Sequence, residues 1–152
     1  MSDYVAHMRA QLGHQRLLLP GVSVLVWDDG GRLLMVCQAN SGKWSTVGGG
    51  VEPGESPAEA AKREVREETG LEIELGPVRA AVGGPGYDVA YPNGDCCSYV
   101  CVIYDAKPLG GQPAADEDEV TAVRWVAPGE IRTLDLTSYA EALFRELSLI
   151  ST

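Results

Sequence analysis

The chain has 152 residues, of which 45% are hydrophobic and 22% charged, with a formal net charge of −10 at pH 7. These values describe one globular domain with a single substantial core, not a disordered segment, and we read residues 1–152 as that domain, with 1–20 as an N-terminal helix and linker. The acidic balance argues against a nucleic-acid polymer or an anionic membrane surface as partner, because both call for basic patches. A small phosphorylated substrate fits only where metal ions screen the site.

No apolar run approaches ~20 residues and no basic-then-apolar start is present, so neither a membrane span nor a signal peptide is expected. Cys37, Cys96, Cys97 and Cys101 lack C-x-x-C spacing. Cys97 and Cys101 would share one strand face, so the thiols read as reduced packing groups, and a cytoplasmic location follows as an expectation.

In chain order, Asp3 is placed to cap a helix from about Tyr4 to Leu12, closed by Gly13, with Val5, Met8 and Leu12 on one apolar edge. A helix this short must dock on the domain or on a second subunit, which makes a homodimer one option. His7 and His14 read as surface or packing residues, and Arg16–Pro20 as a linker. Val22–Trp27 and Arg32–Gln38 are apolar, β-branched segments joined by Asp28-Asp29-Gly30-Gly31, a hairpin pattern. Their near-continuous apolar runs suggest strands covered on both faces. Ala39–Lys43 is a turn, and Trp44–Val47 leads to a loop holding Gly48, Gly49, Gly50 and Gly54, whose backbone can turn a carbonyl or amide inward.

The next helix is clearly punctuated. Ser56 is an N-cap, Pro57 suits the first helical position, Glu59 completes a capping box and Gly70 ends the helix. At about 100° per residue, Glu64, Glu67 and Glu68 fall within roughly 100° of arc, with Lys62 and Arg66 opposite and Ala58, Ala61 and Val65 as a narrow apolar stripe. Three like charges on one face repel one another. A hard divalent cation such as Mg²⁺ would relieve this. A solvated, salt-bridged surface helix is the alternative.

Leu71–Leu75 and Val78–Val82 read as strands interrupted by Gly76-Pro77, and Gly83–Gly86 breaks the chain again. Tyr87–Tyr91 and Cys96–Tyr104 form a second hairpin across Pro92-Asn93-Gly94-Asp95. Along it Tyr87, Tyr91, Tyr99 and Tyr104 read as packing, or, for Tyr87 or Tyr91, as a surface on which a base stacks. Lys107–Glu119 is a loop, Thr121–Val126 a strand and Pro128–Ile131 a helical turn. Ser138-x-x-Glu141 caps a last helix to about Leu149, with Ala142, Leu143 and Leu147 inward. Periodicity alone supports α/β or α+β in one domain.

Gly49, Glu55, Arg63, Glu64, Val65, Glu67, Glu68, Gly70 and Leu71 reproduce the pattern G-x5-E-x7-R-E-U-x-E-E-x-G-U, with U bulky and apolar. This segment resembles the signature of the Nudix hydrolases, and a chance match in a chain of this length is on the order of one in ten million. The resemblance covers the box residue by residue and the rest of the chain only in its order of elements. It implies the Nudix fold, an α/β (α+β) domain with a mixed β-sheet sandwiched between α-helices. It also implies a Mg²⁺-dependent pyrophosphohydrolase, with Mn²⁺ as an alternative ion, that cleaves a nucleoside diphosphate linked to another group.

Carried over by position, Glu64 and Glu68 would bind the metal, Glu67 would be ligand or water-activating base, and the Gly48 carbonyl would be a further ligand. Arg63, with Glu55, would support the loop and orient the acidic helix. Gly49, Gly50 and an aromatic just before the box, here Trp44, would face the substrate, although Trp44 also suits the core. Some members place the base outside the box, and among Asp116, Glu117, Asp118 and Glu119 the candidate is Glu119. Pro85, Tyr87 and Tyr91 lie near positions that mark subfamilies but leave the substrate open between a nucleotide sugar such as ADP-ribose and a nucleoside triphosphate. Two further readings are a non-catalytic nucleotide-sensing domain, which would be expected to lack box carboxylates, and an isoprenoid diphosphate isomerase, which would use a catalytic cysteine.

Overall fold

The structure, a computed structural model, describes residues 2–151. Helix α1 (Asp3–Leu12) is followed by β1 (Leu17–Val26), β2 (Leu33–Gln38), β3 (Trp44–Gly50), α2 (Pro57–Thr69), β4 (Ile73–Val82), β5 (Asp88–Ala90), β6 (Cys96–Pro108), β7 (Val120–Val126) and α3 (Ser138–Glu146). The strands join in the order β4-β6-β1-β3-β2-β7, with β5 beside β6. The β1–β6 pair is parallel and its neighbours are antiparallel, so the sheet is mixed. Its two faces carry separate cores. Val22, Val24, Val26, Leu34, Val36 and Val47 pack under Ala60, Ala61 and Val65 of α2. Leu25, Leu33, Met35 and Ile103 pack under Leu143 and Phe144 of α3. Strands buried on both faces are why these segments read as continuous apolar runs.

Several expectations are corrected. The cap of α1 is Ser2, whose hydroxyl accepts from Val5 N at 3.1 Å, and Asp3 is the first helical residue. The helix docks on its own sheet, with Val5 and Met8 against Leu17, Leu19 and Cys97. Residues 17–20 are strand, not linker, because the parallel ladder to β6 begins at Leu17↔Cys97. Pro20 is tolerated there since pairing to β3 starts only at Gly21↔Gly50.

β1 and β2 do not form a laddered hairpin. They meet only at a single Trp27↔Leu33 bridge beside the turn, where Asp28 Oδ1 accepts from Gly30 N and Arg32 N. Beyond it β3 wedges between them, its first half paired to β2 (Met35↔Thr46) and its second half to β1 (Val24↔Val47). Gly48–Gly50 accordingly belong to a strand and not to a loop, whereas Gly54 does sit in a turn, at φ 81°.

β4 runs through Gly76-Pro77 as one bulged strand. The second hairpin forms as expected, with Asp88↔Ser98 and Ala90↔Cys96. α3 is capped by Thr137, not Ser138, and ends at Glu146. Its fully buried residues are Ala140, Leu143 and Phe144, while Ala142 and Leu147 pack at the margin. All four cysteines are free thiols. Among the described residues no helix is long and apolar enough to cross a membrane.

Candidate active site

The site is built where α2 crosses the end of β3. The expected capping box is formed. Ser56 Oγ accepts from Glu59 N, Glu59 accepts from Ser56 N, and Gly70 closes the helix in the left-handed conformation at φ 74°. Packing of Ala60, Ala61 and Val65 on the sheet sets the rotation of α2 and separates the three glutamates. Glu64 and Glu68 turn under the helix and keep only 8% and 7% of their exposure, whereas Glu67 stands in solvent.

Glycine makes room for the buried pair. A Cβ on Gly49 would lie 2.3 Å from Glu64 Oε1, so the carboxylate occupies the space a side chain would take. Gly48 N donates to Glu68 Oε1 at 3.0 Å. A Cβ on Gly48 would lie 2.2 Å from the Val22 carbonyl oxygen, so β1 and β3 approach each other only because this residue has none.

Arg63 organises the acids from the helix side. Its Nε and Nη2 grip Glu55 at 2.7 and 2.9 Å. Nη1 donates to Glu64 at 2.9 Å and to Glu67 at 3.2 Å, and Nη2 also donates to the Gly50 carbonyl at 2.9 Å. Glu55 in turn accepts from Glu52 N at 3.1 Å, tying the loop after β3 to the helix. The guanidinium lowers the Glu55 pKa below the usual carboxylate range. All of its donors are directed at the protein.

Glu64 and Glu68 behave in the opposite sense. Burial pushes Glu64 up to about 7 against the pull of Arg63, and Glu68 up to about 8 against the single backbone bond from Gly48. Repulsion from Glu67 adds to Glu64 and repulsion from Glu64 adds to Glu68, the charge of Glu119 adds to both, and Asp116 adds to Glu68. The acidic loop therefore lies beside the helix, with Glu119 acting on both buried carboxylates. It is held by Asp116 Oδ1, which accepts from Val120 N at 2.9 Å. Among the described residues no three His, Cys, Asp or Glu side chains converge into a ready-made metal cage. The oxygen-only donors suit a hard cation held by one or two carboxylates together with substrate phosphates, which is the usual mode for Mg²⁺.

The aromatic candidates lie elsewhere. Trp44 is half-buried on the α3 side, with Arg124 stacked 5.8 Å from its ring centroid. Tyr87 is 4% exposed, its hydroxyl donates to Glu146 at 2.6 Å and its ring meets Tyr139 edge-on, so it is a packing residue with no open face for a base. Tyr91 shares a 2.8 Å hydroxyl bond with Tyr99 under α1. Gly49 backs Glu64, and the Gly50 carbonyl is taken by Arg63.

An apolar strip was missed in the sequence. Leu17 and Leu19 are buried under α1, so Leu18, 73% exposed, points to the α2 face, as does Val100, 50% exposed and paired to Pro20. Pro20 O accepts from Val51 N at 3.2 Å, so the strip abuts the carboxylate site. The alternation of residues 17–20 was the available signal, hidden by the linker reading.

Comparison with known proteins adds lineage. A model of the NUDIX domain matches residues 17–147. The chain is 33% identical over 124 residues to a MutT-like protein of Streptomyces ambofaciens, covering 82% of this chain and 73% of that protein. It is 30% identical over 112 residues to the nucleoside triphosphatase NudI of Enterobacter sp. (strain 638), covering 72% and 79%. The MutT protein from Methanosarcina mazei Go1 superposes with a TM-score of 0.72 at 22% identity, over 88% of this chain and 95% of that one, a likeness of fold.

Proposed function

Because this chain belongs to the Nudix family, we propose that it is a Mg²⁺-dependent pyrophosphohydrolase of small nucleotides, cleaving a nucleoside triphosphate or a nucleotide sugar such as ADP-ribose. The observation that carries this reading is the buried pair Glu64 and Glu68 beside the Gly48–Gly50 backbone, where Glu64 meets Arg63 and Glu68 accepts from the Gly48 N–H. Neighbouring buried carboxyls with raised pKa values mark a functional site, and a divalent cation would hold both in the charged form. The similarity to a nucleoside triphosphatase supports the triphosphate arm.

Glu64 and Glu68 would hold the ion, with the Gly48 carbonyl as a further oxygen. When bound, Mg²⁺ neutralises phosphate oxygens and acidifies the attacking water. Arg63 and Glu55 keep the acidic face of α2 aimed at the end of β3, supplying orientation, the main protein contribution to phosphoryl transfer. Glu67, solvent-facing and only partly held by Arg63, receives the proton as the water oxygen bonds to phosphorus and the bridging P–O bond breaks. Glu119 is the alternative acceptor. The strip of Leu18, Pro20 and Val100 seats the uncharged part of the nucleotide.

The test is a panel of nucleoside triphosphates, diphosphates and ADP-sugars with Mg²⁺ or Mn²⁺, products resolved by chromatography. Hydrolysis that requires the ion and is lost in Glu68→Gln supports the reading. No turnover on any substrate would leave a nucleotide-sensing domain in its place, and isomerisation without phosphoanhydride cleavage would overturn the reaction class.

A further inference from the structure

Behind the carboxylates, on the α3 face, three hydroxyls meet, with the buried Cys101 thiol of β6 also against the Tyr139 hydroxyl. Tyr139 Oη and Ser23 Oγ are 2.7 Å apart, and Thr46 Oγ1 donates to Ser23 Oγ at 3.2 Å. Ser23 and Thr46 are both buried, and Tyr139 packs against the cluster of Leu25, Ile103 and Phe144. Hydroxyls here cost free energy to desolvate that an alanine or valine would not. A fully satisfied buried network returns that cost as a single defined arrangement.

The location shows what is being defined. Thr46 is the last residue of β3 paired to β2, and Val47 the first paired to β1. Ser23 is the register partner of Gly48. The three hydroxyls therefore pin the rung at which β3 changes partners. Gly48 touches Ser23 through backbone alone, since a Cβ there would lie 3.0 Å from Ser23 Cα. On the other face the Gly48 N–H holds Glu68. A slip at this rung would turn that N–H away from the carboxylate.

We propose that Tyr139 is a positioning residue of the active site, acting through Ser23 and the Gly48 N–H to hold Glu68 in place from the far side of the sheet. The proposal rests on Glu68 being a working ligand of the site, as read above. It assigns α3 a part in the reaction although none of its side chains faces the acidic helix.

The test compares Tyr139→Phe and Ser23→Ala with Tyr87→Phe, which loses a hydroxyl in the same layer that bonds Glu146 and not β1. The direct readout is the Gly48 amide in ¹H–¹⁵N spectra and its hydrogen exchange, with steady-state kinetics and Mn²⁺ binding by water-proton relaxation alongside. Tyr139→Phe and Ser23→Ala should shift the Gly48 resonance and speed its exchange about tenfold. They should lower kcat roughly three- to tenfold at unchanged KM and weaken Mn²⁺ binding by a similar factor. Tyr87→Phe should leave all of these at the wild-type level. Should Tyr139→Phe fail to fold, Ser23→Ala, which keeps the tyrosine ring, carries the same comparison. A folded variant whose Gly48 amide and kcat match the wild type overturns the proposal. The amide readout does not depend on turnover, so a wild-type protein that hydrolyses nothing would sink the enzymatic reading while this measurement still judged the linkage.

Discussion

Arg63 clasps Glu55 through two parallel bonds, Nε to Oε2 at 2.7 Å and Nη2 to Oε1 at 2.9 Å, across eight residues of chain. The same guanidinium reaches Glu64, Glu67 and the Gly50 carbonyl, so one side chain sets the distance between the strand that ends at Gly50 and the helix that carries the acids. A lysine supplies the charge without the planar fork. Arg63→Lys and Glu55→Gln should therefore each lower kcat about 10- to 100-fold, the usual effect of losing a group that orients metal ligands, with the protein still folded. Steady-state kinetics with a thermal melt checks this, and an unchanged kcat in Arg63→Lys would remove Arg63 from the positioning role.

The raised pKa values set a pH dependence of stability. Glu64 and Glu68 move from the ordinary 4.5 to about 7 and about 8, so between these values the folded state holds protons that the unfolded chain has released. Stability without metal should then fall as pH rises from about 4.5 toward 8, because the folded state binds the extra protons. Mg²⁺ should raise the melting temperature more at pH 8 than at pH 6, and Glu68→Gln should flatten both trends. Scanning calorimetry with and without Mg²⁺ at the two pH values measures this. A metal-free protein more stable at pH 8 than at pH 6 would contradict the assignment of the shifts to burial.

The glycines differ in what a methyl group would meet. Gly49→Ala places a Cβ against the Glu64 carboxylate, and Gly48→Ala places one against the Val22 carbonyl, while Gly50→Ala finds its nearest atom at 3.9 Å. Gly48→Ala should cost about 1–3 kcal/mol of stability, since backbone has to move. Gly49→Ala should act mainly on kcat by displacing Glu64, and Gly50→Ala should be close to neutral. Urea melts and kinetics on the three variants test the order, and equal behaviour would refute it.

Leu18 and Val100 offer a different readout. A charge on the apolar strip should weaken seating of the nucleotide without touching the acids, so Leu18→Asp should raise KM about tenfold while kcat stays near wild type. A KM unchanged in both Leu18→Asp and Val100→Asp would place the nucleotide elsewhere.

The helix and its acids were legible in the sequence because each rests on local rules. The Ser56–Glu59 box, Pro57 and Gly70 act within a turn or two of the helix, and the structure reproduces all of them. What depended on distant pairing was not legible. Nothing near Asp28 indicates that β3 will part the two strands it joins, and nothing near Leu17 shows that β6, about eighty positions on, will recruit it into a ladder. The burial of Glu64 and Glu68 relative to Glu67 follows from how α2 is rotated on the sheet, and a 100° arc of three carboxylates cannot reveal it. Tyr87 stays open between packing and stacking in the sequence for the same reason, since position alone does not say whether its ring, in the turn before β5, faces solvent or α3.

The proposed function requires that a divalent cation complete the pair of Glu64 and Glu68 during phosphoanhydride hydrolysis. Its most direct test is the rate of nucleoside triphosphate hydrolysis by wild type and Glu68→Gln across a Mg²⁺ titration. The expected result is saturable, Mg²⁺-dependent turnover in the wild type and a loss of at least about a hundredfold in Glu68→Gln that added Mg²⁺ does not restore. Turnover in Glu68→Gln equal to wild type at every Mg²⁺ concentration would contradict it.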